Sequence, residues 1–265
     1  MSDTSAARAQ LEHALNTTLA ALGIAPGQSL MVHSDAMAVA QFRGLGSQEG
    51  MQFFWTALQR YLGAQSTLFV PTFTYALTQG QVYDPATTPS QVGQMTEAFR
   101  TMTQSYRNRD PIFSMAMTGN EAESLAARDC TNCFDDTSPF AFLHQQQGMI
   151  LGLGCHPDRI TFTHYVEQLL GVDYRYLKTF SGQRRSAGGE PECVEVAYFV
   201  RDLERETQID LRLLIDELKT RGQWRQALFG RIPVWAVACE DFVEATKALL
   251  TRQSNGLIRE AHAGR

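Results

Sequence analysis

Within fifty residues near the amino terminus the chain writes one complete β-α-β unit, and that unit restricts the fold more than any other feature. "SLMVHS" at 29–34 is a short apolar run of strand length. "SQEGMQFFWTALQRYLG" at 47–63 is an amphipathic helical pattern opened by Ser47 and closed by Gly63, and "STLFVPTF" at 66–73 is a second apolar run. Two buried strands joined by a helix are expected to lie parallel, with a right-handed crossover. Before the unit, Leu11, Leu15, Leu19 and Leu22 recur at helical spacing up to Gly23, which predicts a first helix with a left-handed stop.

The pattern continues along the chain. Strands are expected at "IFSMAMTG", "GMILGLG", "VEVAYFV" and "IPVWAVA". Helices are expected after Asn120, after Ser138 with Pro139 in the first helical position, near 207–221 and near 240–252. The reading is an α/β protein, one domain over residues 1–265, with a central mixed, largely parallel sheet flanked by helices. From Tyr75 to Gly93 the sequence is rich in Thr, Gln and Pro and has little periodicity, as expected of a functional loop that covers a cleft.

Composition excludes some functions. A formal net charge of -5 argues against a nucleic-acid binder, whose footprint is basic. No stretch has the roughly 18 continuous apolar residues of a membrane span. The start, "MSDTSAARAQ", lacks the pattern of a signal peptide, so a cytoplasmic location is expected. Five cysteines, an odd number, suit free thiols better than a disulfide framework. "CTNC" at 130–133 has the spacing of half a zinc site but no second pair to complete it, so two loop cysteines and no metal are expected. A homodimer is compatible with the sequence.

The most suggestive chemistry is in "DRITFTHYVE" at 158–167. Spacing of three would set Asp158, Thr161, His164 and Glu167 along one helix face. A histidine can act as a base near neutral pH, and a carboxylate on its other ring nitrogen fixes the tautomer and stabilises the imidazolium. The same spacing equally describes an ordinary His/Glu pair on a helix surface. "MVHSD" at 31–35 ends a strand where open α/β sheets bind ligands, and "RNRDPIFS" at 107–114 carries two arginines suited either to phosphates or to solvent. "GLGS" at 44–47 could offer backbone N–H groups to a phosphate.

In chain order, "MVHSD", "GLGSQEG", "STLFVPTF", "YDPATTPSQVGQMTEAFR", "RNRDPIFSMAMTG", "SPFAFL" and "DRITFTHYVE" resemble the successive motifs of the aminoglycoside 3-N-acetyltransferase family, whose members move an acetyl group from acetyl-CoA to an amine. The resemblance implies His164 as general base and Glu167 as its orienting carboxylate, with direct transfer and no metal. It further implies that His33, Ser34, Asp35, Thr72, Arg107, Asn108, Arg109 and Ser114 line the acetyl-CoA slot, and that Asp158, Thr161 and Asp110 lie towards the acceptor. Three departures bear on the acceptor: Asp110 replaces a histidine, Ile160 replaces an asparagine, and "HSD" replaces "HSS". With "GVDYRYLKTFSG", which looks like biosynthetic members, they point to an amino sugar or another biosynthetic primary amine. The alternatives are an aminoglycoside acceptor and a non-catalytic sensor of CoA or amines.

Overall fold

The computed structural model describes residues 3–42, 44–185 and 189–259. In chain order the elements are α1 (Asp3–Ala21), β1 (Leu30–Ser34), α2 (Ser47–Leu62), β2 (Thr67–Pro71), β3 (Val82–Tyr83), α3 (Gln94–Arg100), β4 (Tyr106–Arg107), β5 (Met115–Gly119) and α4 (Ala122–Ala127). They continue with α5 (Pro139–Gln145), β6 (Met149–Leu153), α6 (Phe162–Leu170), β7 (Arg175–Arg185), β8 (Pro191–Arg201), α7 (Arg212–Thr220), β9 (Arg225–Phe229), β10 (Ile232–Ala238) and α8 (Cys239–Arg252).

Seven strands form the central sheet in the order β4-β5-β2-β1-β6-β10-β9, and β3, β7 and β8 form a second, small sheet. The predicted β-α-β unit is the heart of the large one: β1 pairs in parallel with β2 on one side and with β6 on the other. Outward from there the pairing turns antiparallel, at β2·β5, β4·β5, β6·β10 and β9·β10. The sheet is therefore mixed, as expected, but parallel pairing is confined to its three middle strands. The flanks are built from strands that return without a helical crossover in the parallel sense.

Alternation along the strands fills both faces. Leu30, Val32, Leu68, Val70, Leu151, Val234 and Ala236 face a core closed by α1, α2 and α3 through residues such as Leu19, Phe54, Trp55 and Phe99. Met31, Phe69, Ile150, Trp235 and Val237 face a second core with Phe140, Phe162, Leu214 and Phe242 from α5, α6, α7 and α8. A sheet covered on both sides explains why its strands read as continuous apolar runs. Gly152 in β6 allows a close approach, since a Cβ there would meet the Trp235 ring at 1.9 Å.

Several helix ends follow local chemistry. Ser138 caps α5 by accepting a hydrogen bond from the Ala141 N–H, with Pro139 in the first turn. Gly23 (φ 65°) follows α1, and Gly63 (φ 81°) ends α2, whose N-cap is Gly46 rather than Ser47. The stretch from Tyr75 to Gly93 is more ordered than its composition implies. A short 3-10 turn occupies Leu77–Gln79, and Val82 and Tyr83 pair with Gln183 and Arg184 of β7. Tyr83 is fully buried and its hydroxyl donates to the Asn108 carbonyl.

Candidate active site

Helix α6 leaves β6 through a loop containing Gly154 (φ 72°) and a single 3-10 turn at Pro157–Arg159. Asp158 therefore lies outside the helix and Thr161 sits at its N-cap, so the four-residue ridge is broken. Only His164 and Glu167 share a helical face. Their side chains meet: His164 Nδ1 lies 2.8 Å from Glu167 Oε2. Glu167 is completely buried, whereas the His164 side chain keeps 20% of its surface exposed. A buried carboxylate holding a histidine that still reaches solvent is an arrangement for proton transfer, because Nδ1–H donates to the carboxylate and Nε2 is left to accept a proton.

The carboxylate has a second partner that sequence reasoning missed. Arg175, at the start of β7, brings Nε to 2.7 Å from the same Oε2, and its side chain is 2% exposed. The approach lies off the hydrogen-bond direction, so it is a charge contact, while Nη1 donates to the Phe199 carbonyl at 3.0 Å. The phenols of Tyr174 and Tyr198 are electrostatically coupled to Glu167 and Arg175, and the buried Tyr174 hydroxyl makes no hydrogen bond. Burial works to raise the Glu167 carboxyl, but His164 and Arg175 more than offset it and hold it below the ordinary range. Burial also lowers the His164 imidazole; the hydrogen bond to Glu167 opposes this and the Arg175 charge adds to it. Phe113 and Phe134 meet the His164 ring edge-on with centroids 6.2 and 5.9 Å away, and Tyr198 packs on Phe113 at 4.8 Å. The small sheet thus supplies part of an aromatic wall beside His164.

Residues 31–251 match the family model described as aminoglycoside 3-N-acetyltransferase. The chain belongs to the aminoglycoside 3-N-acetyltransferase family. Among curated relatives it is similar to aminoglycoside N(3)-acetyltransferase III of Pseudomonas aeruginosa, 31% identical over 173 residues, 58% of this chain and 62% of that protein. It is also similar to aminoglycoside N(3)-acetyltransferase IV of Salmonella sp, 29% identical over 156 residues, 58% of this chain and 57% of that protein. The matches to these two relatives thus span about three-fifths of their length. Among solved structures, aminoglycoside acetyltransferase AAC(3)-IVa superposes with a TM-score of 0.74 at 25% identity, covering 94% of this chain and 90% of that one. The fold is also that of AAC-IIIb, solved as a binary complex with CoASH, with a TM-score of 0.75 at 23% identity over 91% of this chain and 96% of that one. Among the described residues no helix is long and apolar enough to cross a membrane.

The remaining family-matched residues fall into two groups. At the carboxyl end of β1, His33 Nε2 and Ser34 Oγ are buried with no hydrogen-bond partner, and Asp35 caps the following 3-10 helix through the Met37 N–H. Burial pushes the His33 imidazole down to about 4, so it is neutral. Cys155 adjoins them, its thiol directed at the His33 carbonyl at 3.6 Å.

Around β4 and β5 the polar residues are engaged with one another. Each nitrogen of the Arg107 guanidinium donates within the protein: Nε to Thr72 Oγ1, Nη1 to the Thr88 carbonyl, Nη2 to the Thr72 carbonyl and Ser114 Oγ. Asn108 Oδ1 accepts from the Met115 N–H, and Asp110 Oδ1 accepts from the N–H groups of Ile112 and Phe113. Thr72, Asn108, Asp110 and Ser114 are all buried. This geometry makes a clamp of Arg107, whereas Arg109 is more exposed and pairs with Glu192 at 2.9 Å. Asp158 Oδ1 accepts from the Leu211 N–H at the start of α7. Cys130 and Cys133 are free thiols, and Cys133 Sγ lies 3.6 Å from Asp110. A cleft of about 560 Å³ lined by Asp84, Arg100, Tyr106 and Arg107 opens beside β4, and its walls include neither His164 nor Glu167.

Proposed function

We propose that the protein is an acetyl-CoA-dependent N-acetyltransferase whose acceptor is an amine of an aminoglycoside, with His164 as the base. Family membership and the names of both curated relatives support that acceptor. The observation that carries the chemistry is the 2.8 Å contact between His164 Nδ1 and a fully buried Glu167. An amine is mostly protonated at neutral pH and must lose a proton before or during attack. In the proposed step Nε2 takes that proton as the amine nitrogen bonds to the thioester carbonyl carbon. The tetrahedral species then collapses, the C–S bond breaks, and the departing CoA sulfur takes up the second nitrogen proton, so that CoA leaves as the thiol. Glu167 stays ionised and holds the ring by its hydrogen bond with Nδ1.

The coenzyme is proposed to approach the carboxyl ends of the central strands, along His33, Ser34 and Asp35. The buried His33 Nε2 and Ser34 Oγ, which lack hydrogen-bond partners, leave unused hydrogen-bonding capacity at that strand end in support of this placement. Thr72, Arg107, Asn108 and Ser114 contribute by holding the adjacent loop in place.

The comparisons support the aminoglycoside acceptor better than the amino-sugar expectation. Asp110 is spent on two backbone N–H groups, Ile160 is buried in the apolar core, and "GVDYRYLKTFSG" is mostly strand β7. Thiol release from acetyl-CoA, measured with gentamicin, other aminoglycosides and a panel of nucleotide-linked amino sugars, tests the reading. Turnover with an aminoglycoside is the expected result. Turnover with the amino sugars alone restores the biosynthetic acceptor, and binding of acetyl-CoA without turnover on any amine identifies a sensor.

A further inference from the structure

Arg175 has no part in the acetyl-transfer step, yet it touches the atom on which the base depends. It is the first residue of β7, brought back to α6 by the left-handed Gly171 (φ 64°) that ends the helix. Its Nη1 is anchored to the Phe199 carbonyl on β8, so the guanidinium is fixed between two strands and the helix. Both His164 Nδ1 and Arg175 Nε lie against Oε2 of Glu167, at 2.8 and 2.7 Å. The other groups packed around the pair are the phenols of Tyr174 and Tyr198, the Cys133 thiol near Tyr198, and the rings of Phe113 and Phe134.

A lone carboxylate beside a histidine does two things together. It orients the ring, and it stabilises the imidazolium, which keeps the proton on and removes the base at neutral pH. A cation on the same oxygen separates the two effects. The hydrogen bond that orients the ring survives, while the carboxylate's charge is shared with a permanent cation that also repels the imidazolium.

We propose that Arg175 is a positioning residue for the base: it fixes the Glu167 carboxylate and offsets its charge, so that Glu167 orients His164 without holding it protonated. The inference rests on the reading of His164 as the base. Its physical content, a neutral ring at physiological pH, does not depend on which amine is acetylated.

The test is the titration of the His164 ring by NMR in the unliganded protein, alongside the pH profile of kcat/KM. Arg175→Met should raise the ring midpoint, and with it the acid limb of kcat/KM, by about one pH unit or more. Arg175→Lys, which keeps the charge, should leave the midpoint near that of the wild type. Because Arg175→Met strands a buried carboxylate and can fail to fold, the same change is also made in the Glu167→Gln background, where the midpoint of the double variant should again lie above that of Glu167→Gln alone. A midpoint that Arg175→Met does not move in either background overturns the proposal. A midpoint that moves in a protein without acetyltransferase turnover would sustain this role for Arg175 and reject the acetyl-transfer reading.

Discussion

Two buried arginines contrast a region built around a titrating His/Glu pair with a region that holds shape. Arg175 meets a carboxylate, and that carboxylate meets a histidine with one nitrogen left towards solvent. Arg107 makes its hydrogen bonds to two carbonyls and two hydroxyls, with the Tyr83 ring 5.2 Å from its guanidinium carbon. Both positions are nearly closed to water. The difference lies in what the cation faces. An arginine that saturates fixed backbone acceptors can only lock a conformation, whereas one that sits on an ionised group coupled to a titrating ring can set that ring's proton affinity.

The largest expected effect that sharpens this contrast is on stability at Arg107. Arg107→Met would leave the Thr88 carbonyl without a donor and take one donor each from the Thr72 hydroxyl, the Ser114 hydroxyl and the Thr72 carbonyl, which keeps only the Ser114 hydroxyl, a loss on the order of 3–5 kcal/mol. Urea unfolding measures it. The fraction that folds should keep the wild-type pH profile, and a shifted profile would place Arg107 in the same class as Arg175.

Next in size is a pH effect at His33, a buried histidine without a carboxylate. Its imidazole falls from 6.5 to about 4 on folding. The unfolded chain therefore binds the proton first, and the contribution to stability is present above pH 6.5 and lost progressively down to about pH 4. Over that window the loss approaches about 3 kcal/mol. His33→Gln should flatten the dependence seen in urea unfolding at pH 7.5, 6 and 5; an unchanged slope would assign the acid sensitivity elsewhere. Glu167, with its lowered carboxyl, begins to give up its own contribution as the pH falls below about 4.5.

The smallest effect concerns scaffold far from either arginine. Ser138→Ala removes the side-chain acceptor for the Ala141 N–H at the start of α5 and should cost about 1 kcal/mol. Turnover per folded molecule should not change.

The sequence showed the apolar framework well and the polar one poorly, for physical reasons. β1, β2, β6 and β10 are covered on both faces, so they appear as apolar runs bounded by turns. β7 is mostly exposed along its eleven residues, and "RYLKTFSGQRR" has no such signature. With β7 unseen, Arg175 had no location, although "DYR" at 173–175, a few residues beyond Glu167, was visible. His164 and Glu167 were legible because the spacing of three within a helix guarantees proximity. Asp158 and Thr161 shared that spacing but not the helix, since Pro157 begins a separate 3-10 turn. Arg107 and Arg109 looked equivalent in "RNRD". Their fates differ because one side chain turns into the sheet edge beneath the Tyr83 loop and the other turns outward to Glu192.

The claim that the α6 pair performs proton transfer is tested most directly by one comparison: CoA thiol release from acetyl-CoA and an aminoglycoside by the wild type and by His164→Ala, with acetyl-CoA affinity measured by calorimetry on both. The account predicts a loss of turnover of about 10²- to 10⁴-fold with affinity unchanged. Turnover in His164→Ala within a few-fold of the wild type would contradict it.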